Sequence, residues 1–587
     1  MPSVRSGNPP GYEYTEKHVN NLKRMIRVAR GEEPADLVLS GGRLVNVFSG
    51  RIEEGDLAVA GDTIAGVGRY DGKERVDISG RFVVPGYMDP HLHLESTLLC
   101  PGRLSEVLLP RGTTTVVADP HEIANVLGIE GIRLLMDMSR GQPLDYFFMA
   151  PSCVPATHLE TAGDVLDSGK ISTLLQDPLV LGLAEMMNFP GVLGTAPEVI
   201  AKIEAFSERP IDGHAPLLSG RDLCAYAAAG IGTEHECTRL DEAEEKLARG
   251  LRIFIREGSQ ARNLADLLPL VRDATLRRIS FCADDRHPQD LIESGHLDYI
   301  ITRAVSLGLD PVAAITMATL NPAEAYGLKH RGAIAPGYKA DFLLLPDLNR
   351  FTPEKVYKNG RLAAENGKLL VDAPVQEIPG WASPMNIGEL NLERLKVPVR
   401  SSKVRVIGLV ENQIITEHLV EDTPEGGGLL VADPGRDLAR LMVFERHQGS
   451  GRIGQGLVKG FGLKTGALAS SIAHDSHNIV AAGLDPADIL CAVEAVKEMG
   501  GGLAVAVGGR VSASLALPLA GLMTSAGAAD TATVERKLKR GAAELGCRAG
   551  NPFMALSFLA LPVIPNLKLT DKGLVDVNLF DLVPLFI

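Results

Sequence analysis

The 587-residue sequence has no CxxC pair, no long basic block and no clean apolar run long enough to span a membrane. Its 7 cysteines (Cys100, Cys153, Cys224, Cys237, Cys282, Cys491 and Cys547) stand singly and are odd in number, which argues against a disulfide framework. Lys and Arg total 59 against 73 Asp and Glu, a formal net charge of -14 with no basic stretch to offset it. Partners among nucleic acids or anionic membranes are therefore not expected. The first residues, MPSVRSGNPPGYEYTEKHVNN, lack the apolar core of a secretory signal. The most apolar stretch, GGLAVAVGGRVSASLALPLAGLM, carries Arg510 and many small residues, so it reads as buried strands and turns. A cytoplasmic protein with reduced thiols is the expectation.

What is present is an ordinary globular composition: 45% hydrophobic and 22% charged residues exclude wholesale disorder. The length suits three to four domains, or one large barrel with additions. Residues 1–34 read as a polar N-terminal extension with a short helical pattern over 19–29. Hairpin texture follows in ADLVLSGGRLVNVFSG and DLAVAGDTIAGVG, with Gly-rich turns between Val, Ile and Leu alternations. From 82 to 330, strand-like runs (FVVPGYMD, TTVVADP, PLVLGLAE, IDGHA, ISFCADD) alternate with helical stretches, which predicts a (β/α)8 barrel. Hairpin texture returns over 331–375 and can pair with 35–81 into one small β-sandwich domain. Residues 374–398 are irregular, Pro-rich and hold the only Trp, Trp381. Beyond them, 390–587 reads as a mixed α/β domain without internal repeats. The fold class is α/β.

The strongest local signal is PGYMDPHLHLES. His91 and His93 follow a strand-like run and are two residues apart, so on a strand both imidazoles point the same way and can chelate one ion. In a barrel, that C-terminal end is the active-site face. Further ligand types recur at later strand ends: Glu185 closes PLVLGLAE, His214 closes RPIDGH, His235 lies in GIGTEHEC and Asp284 closes RRISFCADD. Each alone reads more simply as a helix cap or a buried hydrogen-bonding His. Together, four His and two carboxylates after consecutive strands point to a metal site. Oxygen and nitrogen donors without Cys suit iron, manganese or zinc. A carboxylate bridging two ions would let them share one hydroxide, a nucleophile at neutral pH.

The motifs DPHLHLES, ADPHEIANVLG, GLAEMMNFPGV, DGHAP, GTEHE and CADDR resemble the amidohydrolase superfamily and, within it, the adenine deaminase subfamily. The block HQGSGRIGQGLVKGFGLKTGALASSIAHDSHNIVAAG is similar to the same subfamily, so the resemblance covers nearly the whole chain. It implies that His91, His93 and Asp284 hold a first divalent ion and that Glu185 bridges to a second, completed by His214 and His235. Many relatives bridge with a carboxylated lysine; a glutamate here matches the subfamily and counts against ring-opening amidases. The implied ions are Mn2+ or Fe2+, with Zn2+ less favoured.

The implied reaction is hydrolysis of adenine to hypoxanthine and ammonia in purine salvage. Asp284 is the expected proton shuttle. Glu122, from ADPHE, ranks above Glu95 as the acid near ring N1, because Glu95 follows two ligands closely and suits orienting them. His121 is a candidate substrate contact, and Asp285 reads as a cap or loop residue. His474, Asp475 and His477 in AHDSHN suit a lid, a pocket contribution or another metal site, but a polar packing turn is the favoured reading. GSGRIG fits a dinucleotide fingerprint without the required helix after it. Met186 and Met187 read as barrel packing. The competing readings are an amidohydrolase acting on another 6-aminopurine or a cyclic amide, and a non-catalytic scaffold. The expected partner is a small molecule, adenine, and the resemblance implies a homo-oligomer, a dimer.

Overall fold

The structure, a computed structural model, describes residues 16–259, 261–410 and 413–587. Eight parallel strands form its centre: β1 (Tyr87–Leu92), β2 (Thr113–Ala118), β3 (Asp145–Ala150), β4 (Val180–Met186), β5 (Ile211–Gly213), β6 (Thr233–Glu234), β7 (Arg252–Arg256) and β8 (Ile279–Cys282). β1 to β5 pair in sequence order, as do β6 to β8. β5 lies beside β6 and β8 beside β1. Asp284 N donates to His91 O at 3.0 Å across the last seam, at the C-terminal ends of the strands. The expected parallel barrel is therefore borne out. Its strands are near-continuous apolar runs because both faces are covered: every residue of β2 and β4 is buried.

The FVV run does not lead the first barrel strand. Phe82–Pro85 pairs antiparallel with Phe342–Leu345 and parallel with Ala35–Asn46, in a nine-stranded sheet whose other strands lie in 51–77 and 355–369. Gly86 separates that strand from β1, and an added Cβ there would meet Thr114 Oγ1 at 2.4 Å, so the chain changes sheets where only glycine fits. Helix Glu16–Ala29 packs on this sheet through Val28, buried with Ala35, Val38 and Ala58.

The C-terminal part is an eight-stranded, mostly antiparallel sheet with helices on both faces. Ile489 and Val493 of helix Pro486–Glu498 pack with Phe444 and Ile479 on one face. Leu538, Phe553 and Leu556 pack with Leu441 and Val480 on the other. Within the apolar stretch GGLAVAVGGRVSASLA, Gly502–Val507 and Arg510–Ala516 form a hairpin turning at Gly508 and Gly509, both at positive φ. Only the first of these strands is buried; the second is mostly exposed, so the expectation of two buried strands is corrected. No helix among the described residues is long and apolar enough to cross a membrane.

This C-terminal part covers the mouth of the barrel. Leu519, Ala520, Leu522 and Met523 belong to the barrel's own apolar core, and Leu98 belongs to the C-terminal one. Polar groups lock the seam: Asp571 accepts from Thr161 N at 2.9 Å and Thr161 Oγ1 at 2.7 Å, and Asn478 Nδ2 donates to Thr161 O at 2.8 Å. Replacing Asp571 by Ala leaves two buried donors unpaired and should destabilise the protein by about 2–4 kcal/mol. A lowered midpoint in thermal unfolding, with Asp571→Asn partly sparing it, checks this.

Candidate metal centre and active site

The ends of six barrel strands bring their polar side chains to one point. Glu185, at the end of β4, has His93 Nε2 at 3.6 Å and His121 Nδ1 at 3.4 Å from Oε1. His214 Nδ1 lies 2.6 Å and His235 Nε2 3.1 Å from Oε2. Asp284 Oδ1 lies 3.2 Å from His93 Nε2 and 3.7 Å from His91 Nε2. Glu185 thus stands between two groups of imidazoles, with Asp284 on one side.

The surroundings fix these groups. His93 Nδ1 donates to Asp119 O at 3.1 Å, which turns Nε2 toward Asp284 and Glu185. Asp89 accepts from His91 N at 3.1 Å and Ala283 N at 3.2 Å, tying β1 to β8 beside both donors. Lys246 Nζ, fully buried, bonds Ala215 O at 2.7 Å and Glu234 Oε2 at 2.9 Å, fixing the loops that carry His214 and His235. Arg256, at the end of β7, donates to Asp284 Oδ2 at 2.6 Å and pairs with Glu236. Asp284 has φ 54°, a left-handed conformation that a non-glycine residue keeps only where its surroundings hold it.

Charge follows this geometry. Burial alone would raise the Asp284 carboxyl, but the Arg256 charge and the His93 hydrogen bond hold it well below the usual carboxylate range. Glu185 is likewise held well down against burial by His214 and His235. Burial and the neighbouring His235 and His93 push His91 well below the usual imidazole range, so it is neutral. Its Nε2 is buried without a hydrogen-bond partner, and it is one of three donors with His93 and Asp284 whose ligand atoms lie within 4.8 Å of one another. His235, despite burial, is raised to about 9 by its hydrogen bond to Glu185. Converging nitrogen and oxygen donors that hold protons between them are what a divalent ion displaces on binding, and the residues fit such ions.

Above the cluster is a cavity. The barrel lines it with His93, His121, Glu185, His214, His235 and Asp284 and with Glu122, Glu236, Arg256, Asp285 and Met187; the C-terminal part adds His474, Asp475 and an apolar wall of Ile414, Phe558, Leu561, Val563 and Ile564. All six residues expected as ligands are thus brought together. Glu122 lines the cavity, and burial with the adjacent Glu95 charge pushes its carboxyl well above the usual range. Glu95 does not line it: Glu95 Oε1 accepts from Ile123 N at 2.9 Å and holds the start of helix His121–Ser139, so its role is local support for Glu122. His121 both lines the cavity and joins the metal cluster.

Asp285, in the loop after Asp284, and Met187, packed partly against the barrel core, also line the cavity, while Met186 is buried in that core. The AHDSHN segment is more than a packing turn, since His474 and Asp475 face the cavity. His477 does not. Its Nδ1 accepts from Ala473 N at 3.2 Å, so its proton sits on Nε2, which faces Glu122 at 4.0 Å. That tautomer aims an N–H toward Glu122 from beyond hydrogen-bonding distance, and Glu122, His474 and His477 have ligand atoms within 4.8 Å of one another. GSGRIG leads into strand Ile453–Lys459, not a helix. No local pattern marks the wall residues or the pairing of Arg256 with Glu236, although Glu236 lies in the motif GTEHE.

A parallel barrel with these donors at its C-terminal mouth defines a metal-dependent hydrolase, and residues 82–363 match the amidohydrolase family. Residues 413–581 match the adenine deaminase C-terminal domain. The chain is 50% identical to an adenine deaminase of Desulfatibacillum aliphaticivorans over 566 residues, 96% of this chain and 99% of that one. It is 47% identical to adenine deaminase 2 of Carboxydothermus hydrogenoformans, over 96% of this chain and 99% of that one. The chain belongs to the adenine deaminase family.

Two consequences can be measured. Chelation should lower the thermal midpoint of the protein, with recovery on adding a divalent ion, because the ion binds the folded state alone. Glu185→Gln removes the charge both sides share, so elemental analysis should find at least one metal equivalent fewer than in the unaltered protein.

Proposed function

We propose that the chain hydrolyses adenine to hypoxanthine and ammonia; the observation that carries this is the convergence of six metal donors beneath a cavity with an apolar wall and a protonated carboxyl. Water adds at C6, the amino group takes up a proton and leaves, and one water is consumed per ammonia released. When bound, a pair of divalent ions, Mn2+ or Fe2+ before Zn2+, supplies the Lewis acidity that makes water nucleophilic at neutral pH.

The chain's own residues do the rest. Asp284, kept anionic by Arg256, accepts the proton of the attacking water at its carboxylate and passes it to the departing nitrogen. Glu122, kept neutral by burial and by Glu95, donates a proton to ring N1 as negative charge develops there. Phe558, Leu561, Val563 and Ile564 cover one side of the cavity, orienting a flat ring and excluding water.

A 6-aminopurine other than adenine would meet the same groups and is the second reading. Glutamate at the bridge, where ring-opening relatives hold a carboxylated lysine, disfavours a cyclic amide. The same reading puts the chain in the cytoplasm as a homo-oligomer, a dimer, in purine salvage; light scattering of the purified protein tests the assembly.

Manganese-loaded protein should release ammonia from adenine and not from cytosine or dihydroorotate. Asp284→Asn should lose about 10²–10⁴-fold or more in kcat. Because Glu122 acts protonated and its carboxyl is raised, activity should fall as pH rises through its ionisation. Glu122→Gln should remove that alkaline limb while losing about 10²-fold or more in kcat. Turnover of a comparator in place of adenine would move the substrate and leave the site.

A further inference from the structure

Among the cavity carboxylates outside the ligand set and the proton steps, one lacks a partner for a buried oxygen. Asp475, on the C-terminal side, is 4% exposed and lines the cavity. Its Oδ2 is buried with no hydrogen-bond partner among the described residues. Its Oδ1 lies 4.0 Å from His121 Nε2 and 3.7 Å from His474 Nδ1, outside hydrogen-bonding distance of both. The other cavity carboxylates are engaged: Glu185 and Asp284 by imidazoles, Glu236 by Arg256, and Asp285 by Ser96 Oγ at 2.5 Å. A buried acceptor is satisfied in nearly all native structures, so an unpaired one facing a cavity calls for a donor on the ligand.

Adenine offers N–H donors at two places. The amino group sits on the reacting carbon and must lie over the metal cluster. The other donor is the N–H of the imidazole half, on N9 or N7 according to tautomer. A nucleoside has none there, because the sugar replaces it. The wall of Phe558, Leu561, Val563 and Ile564 has no side-chain acceptor to receive it.

We infer that Asp475 accepts the imidazole N–H of the free purine base and thereby selects bases over their 9-substituted derivatives. The inference rests on the deaminase reading and adds to it a specificity-determining contact from the C-terminal part. Sites built to hydrogen-bond a substrate N–H or O–H reject analogues lacking it by roughly 10⁴–10⁵-fold, far more than a methyl group is worth in an apolar pocket.

The test compares kcat/KM for adenine and 9-methyladenine, which has no imidazole N–H in either tautomer, using metal-replete protein and Asp475→Leu, which has no acceptor. The unaltered protein should prefer adenine by about 10³-fold or more, and the variant should shrink that preference at least about tenfold by raising KM for adenine at unchanged metal content. If steric exclusion alone rejects the methyl group, the variant keeps the full preference and the assignment is overturned. Should the variant fold poorly, competitive inhibition of the unaltered protein by purine and 9-methylpurine replaces it, with at least tenfold tighter purine inhibition expected and equal inhibition overturning the assignment. Absence of adenine turnover in metal-replete unaltered protein would instead sink the deaminase reading, which separates the two failures.

Discussion

Glu185 is 3% exposed and has the rings of His93, His121, His214 and His235 against its two oxygens. A carboxylate so far from water is tolerable only with compensating charge, and breaking a buried pair typically destabilises by about 3–5 kcal/mol. That requirement propagates outward. The imidazoles need partners for their remaining nitrogens, supplied for His93 by Asp119 O; Asp284 needs Arg256, and Arg256 needs Glu236. Each shell of charge is settled by the next until neutral backbone or solvent is reached. The barrel serves this arrangement by fixing strand ends that lie far apart in the chain within a few ångströms.

The C-terminal part answers a different need. A barrel mouth alone is an open dish, and a flat heteroaromatic ring in water gains little from resting on it. Phe558 and its neighbours turn the dish into a slot, while the Thr161–Asp571 contact and the shared apolar clusters hold that wall against the barrel. His477, with its proton fixed on Nε2 by Ala473, stands behind Glu122 at 4.0 Å rather than in the slot. The ring is thus handled by residues from both parts, the chemistry by residues from one.

Much of this was legible because barrel strands are short and buried on both faces. A ligand that closes an apolar run lies at the mouth, so His91, His93, Glu185, His214, His235 and Asp284 could be gathered from one rule. The same rule erred at Phe82–Pro85, where an apolar run was taken into the barrel although it belongs to the neighbouring sheet; periodicity cannot tell one buried strand from another. Glu95 looked like a ligand's neighbour because it is close in sequence, yet it serves the helix carrying Glu122. Asp475 stood out in AHDSHN, but its meeting with the apolar wall, like that of Arg256 with Glu236, depends on tertiary packing that no local spacing marks.

The order of residues along the chain has a temporal side. Every donor of the cluster lies between 91 and 284, whereas the wall begins at Ile414 and ends with Ile564. Synthesis runs from the N-terminus, and domains fold as units while the chain emerges. The ribosome therefore delivers the complete set of donors well before it delivers their cover. During that interval the nascent cluster faces solvent, and ions reach it unhindered by the slot that later screens it. The donors can thus gather before the residues that cover them exist.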